Sequence, residues 1–200
     1  MKLSLDKKHE NRIEFIAEEV STAMANMVRR YSISRVNVFA IDNVTFYDNT
    51  SPLWDEYVSH RLGLMPVITP AKTPENAEVI LSIDAEGPKI AYTSDLKSSD
   101  KDVSVAKKIP ITTLGPGQRL RFEAKAILGN GRKHAKFQAG LVAYGVEGKG
   151  LRFIVESFYQ MEPADVIERG LDVIESDIDA IAAALGEKPK KKKKAEKSDD

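Results

Sequence analysis

The side chains that could carry out acid–base chemistry are few, since the chain contains three histidines and no cysteine. His60 stands beside Arg61, a pair that could act as a general base next to an anion-binding group. The same histidine lies between Tyr57 and Leu62 in a segment with helical spacing, where a histidine more often packs than reacts. No nucleophile with a matched base accompanies it. A small hydrolase that uses His60 or His134 is therefore the last of our hypotheses, and we predict no catalytic residue.

His134 lies in the basic run Lys133–Lys136, which could contact a phosphate, a nucleic acid or another protein. The run favours a contact with another subunit or a solvated hairpin. His9 lies in a charged turn and supports no site. Scattered histidines without cysteine offer no ligand spacing for a metal or a cluster, so we predict neither a metal site nor a cofactor.

Lysine is concentrated in residues 188–200, which hold seven lysines against three acidic residues. Such a run could attract nucleic acid, and this defines our alternative hypothesis, a stand-alone nucleic-acid-binding adaptor. We favour a disordered tail, because like charges repel and nothing apolar there can form a core. Residues 1–187 carry 23 basic and 27 acidic side chains, which predicts little direct contact with DNA.

The composition also bounds the class of protein. No apolar run reaches the ~20 residues that a membrane-spanning helix needs, and the first residues are charged. A chain of 200 residues can bury a core without disulfides. We therefore expect a cytoplasmic protein without a membrane partner.

The segment from Ile41 to Pro66 has the densest local signals in the chain. Ser51 is a suitable N-cap, and Pro52 suits the first position of a helix. Gly63 is expected to end that helix in a left-handed conformation. Apolar residues recur at every fourth position and predict one apolar face: Trp54, Val58 and Leu62.

Elsewhere the spacing predicts strands and a further helix. Before residue 47 these are strands at Met1–Leu5 and Arg12–Ile16, a helix at Ala17–Arg30, and a strand at Val36–Phe46 with a bulge at Asp42 and Asn43. In the middle of the chain, Arg119–Leu128 alternates as a half-buried strand. A turn at Gly129–Gly131 and a return strand at Leu141–Tyr144 would follow it. Ser94–Lys108 has no apolar period and is predicted to be a surface loop.

A helix is predicted from Pro163, because its apolar residues are spaced alternately four and three apart in a heptad pattern. We call this row the heptad ridge; it consists of Ile167, Leu171, Ile174, Ile178, Ile181 and Leu185. The acidic residues on the other side should stay in water: Glu168, Asp172, Glu175, Asp177 and Asp179. Such a helix must bury its ridge against its own sheet or against a partner.

Several short motifs, taken in order, resemble the family of the archaeal RNA polymerase D subunit. This family is related to the N-terminal region of the bacterial α subunit and to the third-largest subunit of eukaryotic polymerase II. The motifs are Ala25–Arg30, Ala40–Val44, Asn49–Ser51, His60–Leu64, Thr93–Lys97, Gly117–Leu120 and Gly131–Phe137. Each is weak alone, but their order supports the resemblance over most of residues 12–185.

The resemblance implies an α+β fold with a discontinuous dimerisation domain, in which an antiparallel sheet packs with helices. Residues 1–46 and 150–187 would form that domain, and residues 47–149 would form an inserted, mainly β domain. Many family members also carry a ferredoxin-like domain with cysteines. Here Val146–Gly150 leads directly into Leu151, so we expect neither that domain nor its iron–sulfur cluster.

The resemblance also implies a function, that of a non-catalytic assembly subunit of DNA-directed RNA polymerase. The chain would pair with a small α-like partner, called the L subunit in archaea. With the N and P subunits, the pair would form the platform for the large catalytic subunits. The heptad ridge would lie at the heterodimer interface, and four residues would dock the large subunits: Arg29, Arg30, His60 and Arg61.

Overall fold

The computed structural model describes residues 2–74 and 76–186, which form an α+β fold with antiparallel sheets, as predicted. The strands are β1 (Lys2–Lys8), β2 (Arg12–Glu18), β3 (Val38–Asn49), β4 (Glu78–Glu86), β5 (Lys89–Tyr92), β6 (Lys97–Ser98), β7 (Pro110–Leu114), β8 (Arg119–Gly129), β9 (Gly140–Glu147) and β10 (Gly150–Ser157). The α-helices of the described residues are α1 (Thr22–Ser34), α2 (Asp55–Gly63) and α3 (Pro163–Ala184). The predicted tail, residues 188–200, lies outside the described residues.

The first sheet has the strand order β1-β2-β10-β9, and its first two strands form the hairpin that the sequence predicts. Alternate residues of β2 and β10 point into the core, since successive side chains of a strand face opposite sides. Phe15 and Phe153 pair in register, and their rings stack with centroids 5.0 Å apart. Ala25 of α1 and Val166 of α3 belong to the same buried cluster, so the two helices cover this face.

The second sheet has the order β3-β8-β4-β6, and β5 pairs with β7 beside it. Its core combines the strands with α2, whose Val58 and Leu62 are fully buried. Phe122, at the centre of β8, lies in the same cluster and contacts Phe46 across the strand pair at a centroid distance of 5.6 Å. The perfect alternation of β8 in the sequence therefore corresponds to one buried and one solvated face.

Strand β3 lies between the two cores. Phe39 and Ile41 belong to the core of the second sheet, whereas Val38 and Ala40 belong to the core of the first. All four side chains are buried. The predicted bulge is confirmed, because the register with β8 shifts between Ile41 and Asn43. One strand therefore supplies both hydrophobic clusters with alternate residues.

The domain boundaries drawn from the resemblance remain a prediction. The boundary between residues 46 and 47 falls inside β3, whose pairing with β8 continues to Asn49. The boundary between residues 149 and 150 falls at the start of β10, which pairs with β9 along its whole length.

The predicted bounds of the first helix are wrong. Helix α1 begins at Thr22 rather than Ala17, because Ser21 supplies the N-cap and its hydroxyl accepts a backbone hydrogen bond at 3.2 Å. The helix continues to Ser34, beyond the predicted end at Arg30. The arginine pair therefore lies within the helix and not at its end.

The predicted caps of α2 are also wrong. The helix begins at Asp55, and Ser51 lies in a separate turn where its hydroxyl donates to Asn49 Oδ1 at 2.7 Å. Gly63 is the last helical residue, but it does not adopt a left-handed conformation. Asn49, two residues before Ser51, is a nearer hydrogen-bond partner for the Ser51 hydroxyl than the backbone of a helix would be. This local turn explains why α2 begins at Asp55 and not directly after Ser51.

Helix α2 has a narrower apolar face than the sequence predicts. Val58 and Leu62 are buried, but Trp54 is 73% exposed, since it lies at the N-cap and not within the first turn. Its ring meets that of Tyr57 edge-on, with centroids 6.3 Å apart, and Tyr57 is exposed as well.

The strand predicted to return along β8 pairs elsewhere. Leu141–Tyr144 belongs to β9, which lies against β10 in the first sheet. Between β8 and β9 the chain passes from one sheet to the other through a 3-10 turn that buries Phe137. Gly129 permits this passage, because a Cβ there would lie 2.8 Å from the Phe137 ring.

The predicted surface loop Ser94–Lys108 is only partly a loop. It contains β6, and Val103 is buried in the core of the second sheet. The Thr93 hydroxyl donates to the Lys107 carbonyl at 2.6 Å and closes the segment on itself. A single buried residue such as Val103 has no apolar neighbours at regular spacing, so periodicity does not predict its burial.

Candidate subunit interface

The predicted C-terminal helix is confirmed as α3, and it divides the heptad ridge into a covered part and an exposed part. Ile167 packs against the core of the first sheet, and Ile174 is only 5% exposed. The remaining ridge residues are open to solvent: Leu171 (40%), Ile178 (55%), Ile181 (62%) and Leu185 (78%), which is the C-cap. An exposed apolar row of this kind is typical of a contact site for another protein.

The buried face of α3 is a second row that crosses the heptad ridge at Ile174. Its residues are spaced four apart and comprise Val166, Gly170 and Ile174. Here α3 meets α1 so closely that a Cβ on Gly170 would lie 2.4 Å from Ser32 Oγ. Val166 and Gly170 are not marked by the hydrophobic pattern of the sequence, because glycine does not count as apolar. Its small size, one turn after Val166, was the available signal.

Asp177, which the sequence analysis placed in water, instead joins α3 to α1. Its Oδ2 atom accepts hydrogen bonds from the Tyr31 hydroxyl at 2.9 Å and from Arg35 Nη2 at 2.7 Å. The Arg35 guanidinium also lies over the Tyr31 ring, 5.6 Å from its centroid. The hydrogen bond to the carboxylate raises the pKa of Tyr31. This contact holds the two helices together and leaves Ile178, the next residue, exposed.

The helix-facing side of the first sheet carries exposed apolar residues on both edge strands. Leu3 and Leu5 of β1 pair with Ala17 and Phe15, so they share the face on which the helices pack. Val146 lies on the other edge strand, β9, and all three are more than half exposed. None of the three was among the predicted interface residues, although the alternation of Leu3 and Leu5 was a signal.

Arg29 and Arg30 lie on the outer side of α1. The Arg29 guanidinium donates from Nε (3.2 Å) and Nη2 (2.8 Å) to Asn26 Oδ1, so a neutral amide holds it in place. Both arginines line an open groove of about 830 Å³, together with Arg35 and Arg132. The fold therefore brings two further guanidinium groups, which the sequence analysis did not select, to the predicted docking pair.

His60 and Arg61 lie on α2, at the second sheet. Both are exposed, and Arg61 Nη2 donates to the Pro110 carbonyl at 2.7 Å. Within the described residues, no hydrogen bond or ion pair joins them to the arginines of α1. The four residues predicted to dock large subunits thus form two separate groups, and the exposed ring of Tyr57 lies on the same helix as the second group.

His134 has a structural role in the described fold. Its Nδ1 atom accepts a hydrogen bond from the Lys136 backbone N–H at 3.1 Å. Lys136 Nζ contacts Asp42 at 2.7 Å, and this hydrogen bond lowers the pKa of the Asp42 carboxyl. Across residues 2–74 and 76–186, no three potential ligands gather to hold a metal ion, and no helix is long and apolar enough to cross a membrane.

Comparison with known proteins finds relatives among the subunits of archaeal RNA polymerases. The sequence profile described as the RNA polymerase Rpb3/RpoA insert domain matches residues 40–144. The DNA-directed RNA polymerase subunit Rpo3 of Methanocaldococcus jannaschii is 36% identical over 187 residues, covering 92% of this chain and 97% of the relative. The protein of the same name from Thermococcus kodakarensis is 39% identical over 194 residues, covering 90% and 72%.

Other relatives are longer than the matched region. The Rpo3 subunit of Pyrococcus horikoshii is 47% identical over 152 residues, which are 72% of this chain and 59% of the relative. The match to the protein of Pyrococcus furiosus covers 56% of that relative. The chain thus spans somewhat over half the length of these two proteins.

Proposed function

Because the chain belongs to the Rpb3/RpoA family of RNA polymerase subunits and is similar to archaeal Rpo3, we propose that it is a non-catalytic assembly subunit of DNA-directed RNA polymerase. It pairs with a small α-like partner, the counterpart of the archaeal L subunit. The pair, with counterparts of the N and P subunits, supports the large catalytic subunits. The chain needs no cofactor for this role, and it acts in the cytoplasm.

The observation that carries the proposal is the exposed part of the heptad ridge. Ile178 and Ile181 are more than half exposed, although they continue the row in which Ile174 is buried. Burying a side chain of this size stabilises a complex by about 1.5–3 kcal/mol relative to leaving it in water. A partner helix laid along α3 would cover both isoleucines at once.

Exposed apolar residues on an edge strand of the first sheet offer a second surface for the partner. Leu3 and Leu5 lie on the side that faces the helices, and neither is covered by α1 or α3. A partner that packs on the exposed side of α3 and reaches the sheet would cover them. An α-like partner of related shape brings helices and a sheet of its own, which suits both surfaces.

Docking of the large subunits is assigned to the two polar groups described above. Arg29 and Arg30 are on α1, and His60 and Arg61 are on α2 with exposed aromatic side chains nearby. Arginine, tyrosine and tryptophan are the residues that most often dominate protein interfaces. Two separate groups would allow contacts with two different surfaces of the polymerase.

The test is co-expression of this chain with an α-like small subunit. We expect a stable 1:1 complex by size-exclusion chromatography with light scattering, whereas the chain alone should self-associate. Ile178→Asp should abolish pairing, because an unpaired buried charge costs several kcal/mol. Ser176→Asp adds the same charge on the solvated side of the same helix and should leave the complex intact.

If pairing survives Ile178→Asp, α3 is not part of the interface. A well-behaved monomer with no affinity for the small subunit would refute the proposal itself. Deletion of residues 188–200 should leave pairing unchanged, whereas the adaptor hypothesis requires that this deletion remove most salt-sensitive nucleic-acid binding.

A further inference from the structure

We infer that the groove lined by Arg29, Arg30, Arg35 and Arg132, here called the arginine groove, receives an acidic segment of a partner polypeptide. The inference rests on the proposed function, because it gives the chemistry of one of the two docking surfaces. It adds to that surface Arg132, which belongs to the turn after β8 and not to α1.

The turn that carries Arg132 is fitted closely to the end of α1. The Arg132 backbone N–H donates to the Ser34 carbonyl at 3.2 Å. The preceding residue must be small, since a Cβ on Gly131 would lie 2.8 Å from the Ile33 carbonyl oxygen and 3.2 Å from Ser34 Cα. Arg132 thus reaches the groove from a fixed backbone position and completes a rim that α1 alone could not form.

The charge of the arginine groove is not balanced within the described chain. Arg35 pairs with Asp177 at 2.7 Å, but no ion pair is found there for Arg29, Arg30 or Arg132. None of the residues that line the groove is acidic. Residues 1–187 are otherwise mildly acidic, so a local excess of guanidinium groups stands out against the rest of the molecule. Like charges held together are stabilised by a bound anion.

The chemistry of the walls favours a polypeptide as the occupant. Guanidinium groups bind carboxylates through two parallel hydrogen bonds, and these pairs are among the strongest in proteins. Between the arginines the groove exposes apolar and neutral groups, including Met27 and Ile33, which suit intervening side chains of a peptide. A nucleic acid would meet only a few cations on an acidic body, too few for the usual grip on a phosphate backbone.

The inference is tested on the full chain by fluorescence anisotropy with a short labelled peptide of alternating aspartate and leucine. We expect binding that weakens with salt, and little binding of the same peptide with asparagine in place of aspartate. Arg30→Gln and Arg132→Gln should each weaken binding by about tenfold, the usual effect of losing a charge-assisted hydrogen bond. Arg132→Lys should retain part of the affinity. Arg121→Gln removes an exposed arginine on the outer face of the second sheet and serves as the matched control.

Equal binding of the asparagine peptide, or binding that neither groove variant weakens, would overturn the inference. Tighter binding of a short single-stranded oligonucleotide that is lost in Arg132→Gln would overturn it in favour of a nucleic-acid site. Pairing with the small subunit is measured on the same variants, so that loss of peptide binding can be distinguished from failure of the proposed assembly function. A complex that forms normally while the acidic peptide does not bind refutes the groove alone.

Discussion

Replacing Gly170 by alanine is expected to destabilise the fold, although alanine is the better helix former. Gly170 lies where α3 crosses α1, and the new Cβ would lie 2.4 Å from Ser32 Oγ and 3.1 Å from Ser32 Cα. Rotation of the serine side chain can relieve the first contact but not the second, which involves the backbone of α1. The helices would therefore have to move apart.

The magnitude follows from two opposing effects. Overpacking of a filled core costs about 1–3 kcal/mol, and alanine regains about 1 kcal/mol over glycine within a helix. We expect a net loss of roughly 1 kcal/mol from the free energy of unfolding. Ser32→Ala should restore part of this loss, because it removes the nearest atom. That hydroxyl is also buried without a hydrogen-bond partner in the described structure, so its removal alone should not be costly.

The assay is urea denaturation followed by circular dichroism, at protein concentrations low enough that the midpoint does not depend on concentration. The two single variants and the double variant form a cycle whose coupling should favour the double variant. Ser176→Ala, on the exposed side of α3, is the control for helix propensity and should not destabilise. A Gly170→Ala chain as stable as the parent would refute the close crossing of α1 and α3.

Two further predictions concern titratable groups. The hydrogen bond to Asp177 raises the pKa of Tyr31, so its stabilising contribution is present below about pH 10 and is lost as the pH rises through the raised value. Asp177→Asn should lower the pKa of Tyr31 in a spectrophotometric titration, and an unchanged curve would contradict the contact. The hydrogen bond from Arg152 lowers the pKa of Glu14, so that contribution is present above about pH 4.5 and is lost as the pH falls through the lowered value. Glu14→Gln should reduce the loss of stability in acid, measured as the urea midpoint against pH, and identical profiles for both chains would count against it.

The C-terminal helix was predictable because helical spacing is a local property of the sequence, whereas the fold class was implied by the resemblance of the ordered motifs to a known family. The row from Ile167 to Ile181 has the spacing of a helix wherever it packs. Which side of that helix is buried was not predictable in the same way. The choice depends on Gly170 and on the approach of Ser32, a contact between residues far apart in the chain.

The partner of β9 could not be read from the sequence for a related reason. Gly129–Gly131 has the composition of a hairpin turn, and Leu141 begins a suitable strand. The intervening 3-10 turn carries the chain to another sheet, because Phe137 is buried in the core of the first sheet. Strand pairing is a long-range choice, and turn composition does not determine it.

Contacts between distant residues also limited what could be predicted of the candidate site. The arginine pair of α1 was found in the sequence through a motif, but Arg132 was not, because only the folded turn brings it to the groove. Asp177 was assigned to water because charged residues usually stay there. Its two donors are Tyr31 of α1 and Arg35, the C-cap of α1, and both lie more than 140 positions earlier in the chain.

Strand β3 couples the folding of the two hydrophobic cores. Val38 and Ala40 pack in the core of the first sheet, and Phe39 and Ile41 pack in the core of the second. Because these residues alternate along one strand, a packing defect in either core should displace the strand and disturb the other core. If the chain pairs with a small subunit through α3, as proposed, a fault in the core of the second sheet would also distort that pairing surface. Under that proposal, we expect the complex to form only with copies of this chain in which both cores have folded.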